Sequence, residues 1–254
     1  MRARAAIVAD SVGGSTRLVT LRCESPLLAR QTPAGVYLVN GAAGPLGGDD
    51  LAIDVLVGPG AVLTVRSAAA ALALPGRDGA QSRLHTYLRV GDGATLSYRP
   101  EPLISVRGSD HTVCTTVELA ADACLVLLDE LVLGRHNEDS GRVRSQLRVV
   151  RDGRTLLAHD LDVGGEADAW TSAAVIGSAR AVVSMVVIGP EAPSEPRVLL
   201  DSARQTSASW LPVGRHAAIQ LLLGPTLAAA RHAGVALSRT DQSSSRCGVS
   251  VGRS

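Results

Sequence analysis

The feature that most constrains the fold is a short pattern that recurs four times along the chain. The copies begin at positions 57, 90, 119 and 150, so successive copies are separated by 33, 29 and 31 residues. Each copy has a turn rich in Gly, Asp or Pro, followed by an extended run of alternating apolar residues. The residues before each copy are also typical of strands, so each unit is predicted to be a strand, a tight turn and a strand. The copies are VGPGAVLTV at 57–65, VGDGATLSY at 90–98, LAADACLVL at 119–127 and VRDGRTLLA at 150–158.

The regular spacing of the copies predicts how they pack. A lone hairpin cannot bury its apolar face, whereas hairpins stacked at a near-constant period can. We therefore predict a mostly β protein in which stacked antiparallel hairpins, over roughly residues 53–163, form a β-helix-like or layered-sheet body. An ordinary β-sandwich whose hairpins merely look alike is the alternative. Two further apolar strands are predicted over 173–177 and 181–188.

The pattern becomes helical near the C-terminus. Small and aliphatic residues then recur every three or four positions, and Thr226 is suited to cap the first turn. We predict a C-terminal α-helix over 226–237, packed on the sheets. Residues 1–239 are expected to form a single domain, and the polar segment 240–254 a flexible tail.

Composition excludes several classes of function. The net charge is +1 and aromatic residues make up 2% of the chain, so a nucleic-acid-binding role is disfavoured. Apolar residues make up 46% of the 254 residues, and because Phe is absent, small aliphatic side chains must fill the core. The chain has no signal-peptide pattern and no apolar run that predicts a membrane span. Its four cysteines form no CxxC pair, and we expect a cytoplasmic protein.

Motifs of catalysis are missing from the sequence. It contains no GxSxG, no phosphate-binding loop, no GxGxxG and no HExxH. The six histidines are dispersed. His136 and Glu138 alternate, so on a strand they would face one side and share a metal ion, whereas in a solvated loop they would not.

Three acidic positions stand out by their local sequence. Asp49 follows two glycines, which permit positive φ and a close backbone approach, so it is expected to cap a turn or line an interior passage. Glu101 lies between two prolines, which makes it a rigidly presented carboxylate or the stop of an edge strand. Glu130 adjoins an aliphatic strand that ends in Gly134-Arg135, where a carboxylate is usually paired with an arginine or faces a water-filled interior.

Five segments, in order, resemble the urease accessory protein D family (UreD, also called UreH). Gly14 to Leu18 resembles its G-x-T-R-L motif, and Gly44 to Asp49 its glycine-rich G-L-x-G-G-D box. Ser97 to Pro102 resembles its Y-L-P-x-P stretch, Glu130 to Arg135 its E-x-x-x-G-R motif, and Ala169 to Ser172 its later half. The sequence departs from the family pattern at Arg66–Ala70, at Arg99 and after Arg135.

The resemblance implies a function as well as a β-rich fold. It implies a protein that is not an enzyme, but that binds apo-urease and the accessory proteins UreF and UreG, with a homodimer within that complex. It also implies assistance in nickel insertion, with nickel in transit through an internal passage and no tightly bound cofactor. A conduit must bind its ion weakly at several points. The residues predicted to contact nickel are Asp49, Glu101, Glu130 and Glu138.

Two other functions remain open from the sequence. A β-helical carbohydrate-active hydrolase would use a carboxylate pair such as Glu101 and Glu130, although sugar sites usually carry more aromatic residues than this chain has. A structural β binding module without metal would need neither the carboxylates nor the passage.

Overall fold

A computed structural model describes residues 1–244 as two β-sheets with one α-helix near the C-terminal end. The elements in chain order are β1 (Arg2–Val12), β2 (Ser15–Cys23), β3 (Leu27–Thr32), β4 (Gly35–Asn40), β5 (Asp50–Val57), β6 (Val62–Ser67), β7 (Ala71–Ala73), a 3-10 turn (Arg77–Gly79), β8 (Ser82–Val90), β9 (Thr95–Arg99), β10 (Leu103–Ser105), β11 (Asp110–Leu119), β12 (Cys124–Leu133), β13 (Arg142–Arg151), β14 (Arg154–Val163), β15 (Ala181–Ile188), β16 (Arg197–Asp201), β17 (Thr206–Gly214), β18 (Ala217–Gly224) and α1 (Leu227–Ser244).

Each of the two sheets contains a block of adjacent parallel strands. The seven-stranded sheet has the order β14-β13-β11-β8-β5-β1-β2, and its five central strands run parallel. The larger sheet has the order β16-β17-β18-β15-β12-β9-β6-β4-β3, with β7 and β10 paired beside β12. Its strands β4, β6, β9 and β12 are parallel, and β15 to β18 continue it in antiparallel pairing. The predicted mostly β, layered fold with a C-terminal helix is confirmed.

The pairing within the repeats corrects the prediction of stacked antiparallel hairpins. In the first three repeats the turn carries the chain from the smaller sheet to the larger one, and equivalent strands of successive repeats pair in parallel. The fourth repeat, β13 and β14, is a true antiparallel hairpin.

The length of the turn explains this difference. The first three links have four residues, at 58–61, 91–94 and 120–123, whereas β13 and β14 are joined by Asp152 and Gly153 alone. Both of these residues have positive φ, +50° and +69°, as the tight two-residue hairpin turn requires. The four-residue links carry the chain from one sheet across to the other, so the two strands that each link joins lie in different sheets.

The main core lies between the two sheets. Alternate residues of the parallel strands point into it, as the period of two along a strand requires. The side chains are those of Ala, Val, Leu and Ile together with Tyr98, in line with the expectation that small aliphatic residues fill the interior.

The helix α1 packs on the outer face of the larger sheet. Ala230, Ala233 and Leu237 are buried there against residues of β15, β17 and β18. The hydroxyl of Thr226 accepts a hydrogen bond from the backbone N–H of Ala229 at 3.2 Å, so the predicted cap is confirmed. The helix continues past the predicted end at residue 237 to Ser244, so it includes residues 240–244 of the predicted tail. The remainder of that tail, 245–254, lies outside the described residues.

The apolar segment before β15 is not a strand. The prediction for 181–188 is confirmed by β15, but the prediction for 173–177 is wrong, because that segment lies in a series of turns. Hydrogen bonds from Val175 to Ser172 and from Ala179 to Ile176 close these turns, and Ile176 is buried in a separate small core. In segment 173–177 the apolar residues therefore indicate burial and do not indicate a strand.

Candidate functional site

A cavity of about 140 Å³ lies between the sheets. Most of its wall is aliphatic, but a set of polar and charged side chains faces it from both sheets. The lining residues that are exposed lie where the cavity reaches the surface. They come from the end of β4, the loop after it, the loop after β6 and the segment after β9: Asn40, Ala42, Ala43, Ala69 and Glu101. The polar residues of the wall are Asn40, Asp49, Ser67, Thr86, Tyr98, Glu101, His111, Thr115, Asp129 and Ser145.

Asp49 is positioned by the glycine pair that precedes it. A Cβ on Gly47 would lie 2.3 Å from the backbone nitrogen of Gly76, and Gly48 has φ of +90°. The expected close approach and positive φ are therefore confirmed. One carboxylate oxygen of Asp49 accepts the Leu46 N–H at 2.9 Å, and the other pairs with the Met1 ammonium at 3.0 Å. Asp49 thus caps the turn and also lines the cavity, which are the two roles that the sequence left open.

Glu101 lies two residues after the end of a strand. β9 ends at Arg99, and the backbone N–H of Glu101 donates to the Ser67 hydroxyl at 2.6 Å, which ties this segment to the end of β6. Glu101 is exposed and belongs to the cavity wall. The prolines therefore both terminate the strand and hold a carboxylate where the cavity reaches the surface.

Glu130 faces the opposite side of its strand from the cavity. It is 3% exposed, and both of its oxygens accept hydrogen bonds from Arg231 of α1, with 2.7 Å between Oε1 and the arginine Nε. Of the alternatives that the sequence left open, pairing with an arginine is the one that the structure contains. The arginine lies 101 positions away along the chain.

The neighbouring residue Asp129 points into the cavity instead. Successive residues of a strand face opposite sides, and Asp129 shares its side with the buried Leu125 and Leu127. Its carboxylate accepts a hydrogen bond from the Ser145 hydroxyl at 3.1 Å. Burial raises the pKa of Asp129 above its ordinary value, against the opposing effects of Ser145 and His159. Asp129 is not among the residues predicted from the sequence, although its alternation with Leu125 and Leu127 is a pattern that indicates it.

Glu138 lies in a loop away from the cavity. Residues 134–137 form bends and a turn, and residues 138–139 are irregular, so His136 and Glu138 do not alternate along a strand. Both oxygens of Glu138 accept hydrogen bonds from Arg135, at 2.8 and 2.9 Å. The side-chain hydrogen bond from Arg135 lowers the pKa of Glu138 to about 2. Glu138 lines a surface pocket with Arg180 and the start of α1.

Two further polar residues in the cavity wall were not selected from the sequence. Tyr98 is 5% exposed, and burial raises its pKa to about 12, against a hydrogen bond with Thr86 that lowers it. His111 is fully buried, and burial lowers its pKa to about 4, so its ring is neutral at neutral pH. A lone His or Tyr carries no sequence signal of this kind, because the fold decides which residues border a cavity.

The side chains that could act as metal ligands do not form a close cluster. Within residues 1–238, whose side chains the structure describes, no three His, Cys, Asp or Glu side chains lie close enough together to hold a metal ion jointly. The thiols of Cys23, Cys114 and Cys124 are free. In this described part of the chain, no helix is both long and apolar enough to cross a bilayer.

Comparison with known proteins gives a consistent result. The model of a family described as UreD urease accessory protein matches residues 1–246. A urease accessory protein UreD of Frankia casuarinae is 39% identical over 89% of this chain and 82% of its own length. UreD 2 of Saccharopolyspora erythraea is 40% identical over 91% of this chain and 85% of its own length. UreD of Streptomyces coelicolor is 42% identical over 89% of this chain and 91% of its own length.

Proposed function

This chain belongs to the UreD urease accessory protein family, and we propose that it acts in urease maturation as a non-catalytic scaffold in the cytoplasm. In this role it binds apo-urease and the accessory proteins UreF and UreG, with a homodimer within the complex. It assists the insertion of nickel into the urease active site by letting the ion pass through its interior.

The observation that carries the proposal is that acidic side chains from different parts of the chain line one cavity between the sheets. Asp49, Glu101 and Asp129 come from three separate segments and face the same space. A path for an ion needs binding that is favourable enough for entry and weak enough for release. Single carboxylates at separate points meet this requirement better than a closed set of four ligands, which would retain the ion.

The four acidic residues proposed from the sequence have different surroundings. Asp49 and Glu101 belong to the cavity wall, which supports their proposed contact with nickel, and we add Asp129 to them. At Asp49, contact with nickel requires that the ion displaces the Met1 ammonium from the carboxylate. The oxygens of Glu130 and Glu138 are occupied by Arg231 and Arg135. Contact of nickel with these two carboxylates therefore requires that the arginine first moves away.

Partner binding is tested by co-expressing the chain with UreF and UreG and passing the lysate over a size-exclusion column. We expect the three proteins to elute together. If the chain elutes alone at every salt concentration while UreF and UreG are soluble and folded, the scaffold role is rejected.

Nickel delivery is tested with a pair of substitutions that keep shape and remove charge. The double variant Glu101→Gln with Asp129→Asn should still form the partner complex but yield urease with a lower nickel content per active site. Glu118→Gln is the matched control, because Glu118 is an exposed carboxylate on β11 that does not line the cavity. Equal nickel content in urease matured with the double variant and with the control would refute the passage through this cavity.

A further inference from the structure

A histidine of the cavity wall has a ring nitrogen without a partner. His111, on β11, is 0% exposed and lines the cavity between the sheets. Its Nε2 is buried and makes no hydrogen bond among the described residues. Buried polar atoms are nearly always hydrogen-bonded, because an unpaired one loses its bonds to water and gains none in return. The cavity next to His111 is therefore expected to hold something that bonds Nε2.

The other ring nitrogen is already held. Nδ1 lies 2.8 Å from the hydroxyl oxygen of Ser82, and that hydroxyl lies 3.5 Å from the carbonyl oxygen of Asp110. When Nδ1–H donates to Ser82 and Ser82 donates to the Asp110 carbonyl, Nε2 carries a lone pair. That lone pair accepts no hydrogen bond from the described residues. A hydrogen bond at the far nitrogen is the usual way in which proteins fix the tautomer and orientation of a histidine that binds a metal.

Oxygen donors share the cavity with the unpartnered Nε2. The carboxylate of Asp49 and the hydroxyl of Tyr98 line the same cavity. A wall with carboxylates alone would suit hard cations, whereas one imidazole among oxygen donors suits first-row transition ions such as nickel.

We propose that Nε2 of His111 is a nitrogen ligand for a divalent transition-metal ion within the cavity, with Ser82 as the residue that positions the ring. The cargo, nickel, rests on the proposed function; the presence of a ligand at Nε2 rests only on the geometry of the ring and the cavity. With one imidazole and oxygen ligands the ion keeps several waters, so it is held at one stage of its path and then released.

The direct test uses the full chain with ¹⁵N-labelled histidine and NMR of the ring nitrogens. Without metal, we expect His111 to show a protonated Nδ1 and a deprotonated Nε2. Added Zn²⁺, a diamagnetic probe, should shift the Nε2 signal, and added Ni²⁺ should broaden it. The His111 signals are assigned by their loss in His111→Gln, or from Ser82→Ala if the first variant does not fold. An Nε2 signal that responds to neither metal overturns the inference, whichever ring nitrogen carries the proton.

Variants separate a ligand from a merely structural histidine. In Ser82→Ala the ring loses its partner at Nδ1, and we expect the tautomer signature to change and Zn²⁺ binding at His111 to weaken by about tenfold. His136→Gln, which removes an exposed loop histidine, should change neither. An unchanged tautomer and unchanged Zn²⁺ response in Ser82→Ala would reject the positioning role.

The same variants distinguish failure of this inference from failure of the proposed function. His111→Gln should retain the complex with UreF and UreG but lower the nickel content of co-expressed urease. If the wild-type chain activates urease and His111→Gln activates it equally, His111 is not a ligand on the path. If the wild-type chain neither binds the partners nor activates urease, the proposed function fails, while the NMR response to Zn²⁺ still decides whether His111 is a ligand.

Discussion

The carboxylate of Glu130, buried on β12, is bound at both oxygens by the guanidinium of Arg231 on α1. The Nε to Oε1 distance is 2.7 Å, and the arginine side chain remains half exposed. This pair joins the C-terminal helix to the centre of the larger sheet. Glu130 lies on the opposite side of β12 from Asp129 and does not line the cavity.

Loss of Arg231 is expected to destabilise the protein because Glu130 would remain buried without its partner. Breaking a fully buried pair costs about 3–5 kcal/mol, and partial exposure of the arginine lowers our expectation to about 2 kcal/mol for Arg231→Leu. The measurement is the free energy of unfolding in urea. The double variant Glu130→Leu with Arg231→Leu should recover part of the loss.

The matched control for this pair is an exposed ion pair. Arg204 pairs with Asp201 at 2.7 Å, with the arginine side chain 68% exposed, so Arg204→Leu should lower the free energy of unfolding much less than Arg231→Leu does. An Arg231→Leu variant that is no less stable than Arg204→Leu would contradict the structural importance of the pair.

The Arg135–Glu138 pair predicts a titration well below the ordinary range. The pKa of Glu138 is lowered from 4.5 to about 2, so its carboxylate should remain charged down to strongly acidic pH. Because the pKa is lowered in the folded state, the pair stabilises the loop at pH above 4.5, and this contribution is lost as the pH falls toward 2. The carboxyl ¹³C chemical shift of Glu138, followed by NMR, measures the midpoint.

Two arginine variants test the cause of that shift. Arg135→Ala should return the midpoint of Glu138 toward the ordinary range, because the hydrogen bond from Arg135 is the largest cause of the shift. Arg107→Ala should change it less, because Arg107 acts only through its charge. A midpoint that responds equally to both variants would show that the hydrogen bond is not the main cause.

Gly47 is expected to tolerate no side chain, because the backbone of Gly76 occupies the space that a Cβ would take. Gly47→Ala requires the two segments to separate, and we expect a loss of about 1–3 kcal/mol in the free energy of unfolding. Gly13→Ala is the control: its Cβ meets no atom within 4 Å, although φ is +59°, so the cost should be about 1 kcal/mol. Equal stability of the two variants would mean that the Gly47 segment moves freely.

A bulky side chain where the cavity reaches the surface should hinder an ion that passes there. Ala43 is exposed and lines the cavity, so Ala43→Trp is expected to reduce nickel loading of urease several-fold without changing the urea midpoint. Ala34→Trp, in the exposed turn between β3 and β4, is the control for added aromatic surface. Normal nickel loading with Ala43→Trp would indicate that the ion does not enter at this opening.

Local sequence was sufficient for much of the fold. The repeated turn-and-strand pattern predicted strands at the repeats, the Thr226 cap and the spacing after it predicted the helix, and the glycine pair predicted the tight turn before Asp49. These features depend on contacts between residues that are near each other in the chain. Apolar character at 173–177 misled the prediction because turns can also bury an apolar side chain, as they bury Ile176.

The sequence by itself determined that this chain forms β-structure with a period near thirty residues, and its motifs determined the family to which it belongs. Only the tertiary structure decided that strands joined by four-residue links lie in different sheets. It also decided that Asp129 faces the cavity while Glu130 faces Arg231, and that His111 borders the cavity. The physical reason is that the alternation along a strand makes neighbours point to opposite sides, but which side is the interior depends on packing between residues far apart in the chain.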